Sequence, residues 1–360
     1  MKKKEMLSAL VLLVVCGAGC TAASVRFTRE GGYPGLPRTD ESYPSDGFHS
    51  AADSSVFRVA FDGCGHIYPD PKEQELDENR LAARRSCVAR CVGEDYDSKG
   101  IAARFAERIN AACAGAQERT LVILVHGICN PYPVARRTFE LARMRLAQRY
   151  PNQEFAFLEV YWDGKLGSPL GAWGAARRAS KWAGLGLRAL VTGIDERIAI
   201  RAISHSRGAA LLASAIWNVQ LLEEPAENER FAALQRDLPP PSHPSIRLGW
   251  LVPAMPETDV ESMRGECQRI VMTVNENDPA LGKGFLPASM FGSSALGCDP
   301  AAARRALGEG RPVVCLDSSH SAEHDFKDAL MERSFMAEFL PALMGADESP
   351  TTQSAASFSR

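Results

Sequence analysis

The chain has 360 residues, 45% of them hydrophobic and 24% charged, with a formal net charge of −3. These values describe a globular chain long enough for one large α/β domain or two smaller ones. The mild acidic excess argues against nucleic acid or an anionic lipid surface as the main partner.

In chain order, Lys2, Lys3 and Lys4 form a positive n-region, and residues 6–15 make an apolar segment too short to span a bilayer, followed by small residues ending at Cys20. This pattern predicts an export signal. Gly17-Ala18-Gly19-Cys20 resembles a bacterial lipobox, although leucine is more usual where Gly17 stands; a plain secretory signal is the alternative. The resemblance implies cleavage before Cys20, acylation of its thiol and attachment of the mature chain to a membrane of the cell envelope through that lipid. Loss of residues 1–19 removes three lysines and Glu5 and takes the net charge to −5. The expected organisation is a signal over residues 1–19, an acylated cysteine and flexible tether over 20–52, a folded domain over 53–345 and a disordered tail over 346–360. Beyond the signal and Cys20 stand Cys64, Cys87, Cys91, Cys113, Cys129, Cys267, Cys298 and Cys315, an even set that suggests disulfides in an exported protein. A zinc site from Cys64, His66, Cys87 and Cys91 competes, but Cys87 and Cys91 lack knuckle spacing.

Residues 56–62 alternate as a strand, and 72–92 and 98–114 have helical spacing, the second through Ile101, Phe105, Ile109 and Cys113. The run T-L-V-I-L-V-H-G over 120–127 reads as a strand buried on both faces, hence parallel and central. A helix over 132–150 is stopped by Pro151, and 154–162 gives another strand; strand alternating with helix predicts a parallel sheet. Residues 164–193 carry Trp173, Trp182, Arg177, Arg178, Lys181 and Arg188 at amphipathic spacing. Two parallel strands need a crossover, which favours a connecting helix here over a lid or lipid-facing helix.

Residues 197–212, R-I-A-I-R-A-I-S-H-S-R-G-A-A-L-L, pass from a strand (198–203) into a helix former with only Ser204 to Gly208 between. So short a passage demands a sharp elbow whose apex, Ser206, is strained and has its side chain standing clear. Its neighbours two before and two after, Ser204 and Gly208, are both small. An ordinary turn with a capping serine is the plainer alternative. A helix over 208–222, a polar excursion over 223–244, strands over 246–252, 269–274 and 312–316 and a last helix over 334–344 complete the chain; it has no internal repeat. Asp278 follows the strand ending at Val274, and Asp259, after the preceding strand, is the fallback acid. His49 falls in the tether, His243 in the excursion and His205 beside the apex, where packing is expected; His320 and His324 follow the last strand.

Taken in order, the strand with His126-Gly127, the elbow at Ser206, Asp278 and His324 resemble the α/β-hydrolase superfamily, lipase- and esterase-like members above all, over roughly residues 120–344. Ser204 replaces the first glycine of G-x-S-x-G. The resemblance implies an α/β fold with a mostly parallel central sheet and helices on both faces. It also implies a Ser206–His324–Asp278 triad, His324 being nearer the last helix than His320. An oxyanion hole would come from the N–H of Arg207 and that of Ile128 or Cys129. The expected activity is hydrolysis of carboxylic esters or related acyl substrates by a serine hydrolase, with no metal, no cofactor and no nucleic acid. A catalytically inactive binding or envelope-assembly lipoprotein on the same frame is the alternative.

Overall fold

The structure is a computed structural model and describes residues 55–61, 63, 65–69, 98–114, 120–128, 130, 132–162, 172–221, 225–256, 259, 267, 269–278, 281, 295–307, 313–319 and 324–345. Its strands in chain order are β1 (Val56–Phe61), β2 (Ile67–Pro69), β3 (Thr120–Val125), β4 (Phe155–Trp162), β5 (Ala199–His205), β6 (Arg247–Leu251), β7 (Arg269–Val274) and β8 (Val313–Asp317). The helices are α1 (Ser98–Cys113), α2 (Tyr132–Arg149), α3 (Ala172–Thr192), α4 (Gly208–Ile216), α5 (Pro225–Asp237), α6 (Pro300–Leu307), α7 (Phe326–Met331) and α8 (Leu340–Met344).

The apolar run of β3 has no residue to spare for water, and it is buried along its whole length. It lies between β4 and β5, parallel to both, in a sheet of order β2-β1-β4-β3-β5-β6-β7-β8. β2 runs antiparallel to β1; the other seven strands are parallel. Alternate residues of β3 feed two cores. Leu121, Ile123 and Val125 pack with α1, α3 and α4, whereas Val122 and Leu124 pack with α2, α7 and α8. Helices therefore cover both faces, and the fold is α/β, as the strand–helix alternation predicts.

The strand order reverses at β3. The chain leaves it over α2 toward β4, then returns through α3 to β5 on the other side. The chain leaves β3 and β5 toward opposite faces there, and the carboxyl ends of strands flanking such a reversal are the usual place for a ligand in an open parallel sheet. Parallel register aligns those ends: Val125 sits opposite Ser204, and His205 opposite Leu251.

Helix α3 is the connecting helix favoured from the sequence over a lid or lipid-facing helix: Lys181, Trp182 and Arg188 on it are buried. Other expectations change. The polar excursion contains α5, whose Pro225 start and Glu227 in the first turn are helix-start signals masked by its polar composition; only Phe231 and Gln235 are buried on it. The helix after the elbow ends at Ile216 rather than residue 222, because Trp217 turns extended. β2, α6 and α7 were not expected, and the last helix opens with a π-helical turn, Phe335–Phe339, before α8. The expected helix over 72–92, the signal, Cys20, the tether, the tail, Cys64, Cys87, Cys91, Cys129 and His320 lie outside the described residues. Among the described residues no helix is long and apolar enough to cross a membrane.

Candidate active site

The passage from β5 to α4 takes two residues, Ser206 and Arg207. Ser206 sits at φ 53°, a left-handed conformation that costs a non-glycine residue of order 1–3 kcal/mol unless its surroundings impose it. Its N–H donates to Leu251 O (2.9 Å) on β6, and its carbonyl accepts Ala209 N–H (3.2 Å) as α4 begins. Small neighbours make the turn possible. A Cβ on Gly208 would stand 2.7 Å from His126 O and 3.0 Å from Val125 O, and a Cβ on Gly127 would stand 2.9 Å from Ser206 Cβ. Ser204, where a glycine would be more usual, is buried, and its hydroxyl reaches Gly249 O at 3.5 Å. Val252, just past β6, is the other described non-glycine residue at positive φ (46°), so strain collects where β5 and β6 end.

His324 Nε2 lies 2.8 Å from Ser206 Oγ, and its Nδ1 lies 2.5 Å from Asp278 Oδ2. The arrangement calls for one tautomer: Nδ1–H donates to the carboxylate, and Nε2 accepts the serine O–H. Three residues named from the sequence, 118 and 46 positions apart, therefore form one chain of hydrogen bonds at the carboxyl edge of the sheet. The loops that carry them are laced together. Ser318 N–H and Oγ–H both donate to Val274 O, Asn277 Nδ2 donates to Ser319 O, and Glu276 N–H donates to Ser319 Oγ. Asp278 Oδ1, the oxygen turned away from His324, accepts Leu281 N–H. Asp278 is fully enclosed, Ser206 is 1% exposed and the His324 side chain 13%, so the imidazole edge is the part of this trio that meets solvent.

His126 organises the neighbouring turn. Its Nδ1–H donates to Gly127 O (2.8 Å), its Nε2 accepts Trp162 N–H (3.1 Å), and its own carbonyl accepts Trp162 Nε1–H (2.8 Å) under a stacked indole. Complete burial pushes the His126 pKa down to about 4, against a smaller upward pull from Gly127 O, so the ring is neutral at pH 7. Pinning Gly127 O also aims the Ile128 N–H away from the imidazole, because the C=O and N–H of a trans peptide point in opposite directions. Neither the Ile128 N–H nor the Arg207 N–H has a hydrogen-bond acceptor among the described residues. Both are spare donors beside Ser206.

His205 is packed inward, as expected: its ring lies 4.8 Å from that of His324 and stacks on Phe326 at 5.2 Å. Burial, with smaller effects from His324 and His126, drives its pKa well below the ordinary value. Asp259, the fallback acid, touches no histidine among the described residues. It lies 2.8 Å from Lys181 Nζ, 3.4 Å from Arg207 Nη2 and 3.8 Å from Arg177 Nη2. This cluster was not anticipated from the sequence; the i, i+4 spacing of Arg177 and Lys181 on one helix was the available signal. His243 ties Ser245 and Asp195 O together, far from Ser206 in the chain's topology.

Comparison with known proteins returns no matching family model, no matching curated protein and no matching solved structure.

Proposed function

We propose that this protein is a serine hydrolase of carboxylic esters or related acyl compounds, built on an α/β-hydrolase fold. The observation that carries the reading is the hydrogen-bonded series Ser206 Oγ, His324 and Asp278 at the carboxyl edge of a parallel sheet. A serine hydroxyl is a weak nucleophile until an imidazole accepts its proton, and a carboxylate on the far nitrogen selects the tautomer that can do so. In this reading Ser206 attacks the acyl carbonyl, and His324 takes its proton and returns it to the leaving group. Asp278 orients His324 and stabilises its charged form. The N–H groups of Ile128 and Arg207 receive the developing oxyanion. The strained elbow, the order serine, aspartate, histidine along the chain and the reversal of strand order at β3 support the fold assignment.

A fluorophosphonate probe tests it. Labelling of the wild type that vanishes in Ser206→Ala is the expected result; a folded wild type that takes no label would refute it. A non-catalytic binding protein on the same frame is the second reading, favoured by the 1% exposure of Ser206, and the same probe decides between them. A panel of p-nitrophenyl esters of rising chain length, run on protein lacking residues 1–20, sorts short-chain esterase from lipase. Attachment to the cell envelope through an acyl chain on Cys20 is part of the proposal and rests on the lipobox-like Gly17 to Cys20; incorporation of labelled palmitate should be lost in Cys20→Ala.

A further inference from the structure

Beside the elbow, three cations share one carboxylate. Asp259 faces Lys181, Arg207 and Arg177, and no other ion pair reaches these cations among the described residues. Lys181, Arg207 and Asp259 are almost wholly buried. Burying like charges together without a matching anion is costly, and among the described residues the cluster holds three cations to one carboxylate. The titration behaviour agrees. Burial pushes Lys181 down to about 8, with Arg207 and Arg177 adding to the fall and Asp259 opposing it. Burial also works to raise the Asp259 carboxyl, yet the surrounding cations outweigh it and leave it below its ordinary value.

The three cations are not equally committed. Lys181 donates to Asp259 and to Gln220 O. Arg207, the residue directly after Ser206, donates to Ala254 O (3.0 Å), Arg177 O (3.3 Å) and Asp259, while its buried Nε has no partner among the described residues. Arg177 is different: its guanidinium makes no hydrogen bond among the described residues, and its side chain is 32% exposed. Its neighbour Arg178 is already engaged by Glu227 at 3.7 Å. A rim guanidinium with unused donors, backed by two buried cations, suits a planar or tetrahedral oxyanion that it can grip with two N–H groups.

We propose that Arg177, linked through Asp259 to Lys181 and to the side chain of Arg207 next to Ser206 in the chain, forms a subsite for an anionic group, a carboxylate or a phosphate, carried by the acyl substrate. This rests on the hydrolase reading and narrows it to anionic esters. The test compares kcat/KM within two pairs: p-nitrophenyl hydrogen succinate against p-nitrophenyl butyrate, and lysophosphatidic acid against the matching monoacylglycerol. The first pair places the charge on the acyl side as a carboxylate, the second on the alcohol side as a phosphate. The wild type should favour the anionic member of one pair by about tenfold, a preference that weakens as salt screens the rim. Arg177→Gln should bring that ratio close to one, and Arg177→Lys should keep part of it. Turnover of neutral esters with no anionic preference in either pair overturns the subsite, as does a preference that survives Arg177→Gln. Failure of every ester together with absent fluorophosphonate labelling counts against the hydrolase reading instead. Calorimetry with monomethyl succinate and with inorganic phosphate then decides the subsite: binding lost in Arg177→Gln supports it, and no binding overturns it.

Discussion

At the scale of single residues, the site depends on what each side chain offers its neighbour. Asp278→Asn keeps the size of the side chain but removes the charge that holds the Nδ1–H tautomer of His324. It should lower kcat on an ester substrate by about ten-thousandfold, with little change in the thermal midpoint. Gly208→Ala acts through space alone, since the added methyl meets two backbone carbonyls at 2.7 and 3.0 Å that cannot swing aside. A loss of about 2 kcal/mol in urea denaturation is expected. Ser206 and the small residues of the elbow were legible in the sequence, because a strand that becomes a helix in so few residues demands a sharp turn. The assignment of Asp259 was not legible. It and Asp278 both follow late strands, and only their surroundings distinguish an aspartate that meets an imidazole from one enclosed by cations.

Among elements, the pairing of α3 with α4 positions the elbow from below. Arg188 of α3 donates to Ser214 O and Trp217 O, carbonyls left over at the end of α4, and to Leu238 O and Asn218 Oδ1 beyond it. Burial lowers its pKa to about 10, which leaves it charged at every physiological pH. Arg188→Met fills similar space but orphans those buried carbonyls, and should cost about 3 kcal/mol, read as a fall in thermal midpoint. A helical wheel places Lys181 and Arg188 on what looks like a wet face of α3; burial of both shows that amphipathic spacing reports periodicity and not which face meets water. α5 escaped notice for the opposite reason, since a helix that buries so little has almost no apolar period to read.

The whole molecule carries its buried imidazoles as a reserve of acid sensitivity. His126 titrates at about 4 when folded and near 6.5 when unfolded, so the unfolded chain binds the extra proton between those values and stability falls as pH drops through that window. His205, shifted in the same direction, adds to the loss. Urea denaturation should give about 2 kcal/mol less stability from His126 at pH 5 than at pH 7. His126→Gln should flatten that dependence, whatever it does to the absolute stability.

The residues alone determined the alternation of strands and helices, the central place of β3, the sharp turn at Ser206 and the succession of serine, aspartate and histidine, because periodicity and turn chemistry are local properties of a chain. The meeting of His324 with both partners, the enclosure of Asp259 by three cations and the burial of Lys181 and Arg188 on α3 were decided only in three dimensions. Each depends on distances between segments far apart in sequence, set by the order and register of a sheet that no single stretch encodes.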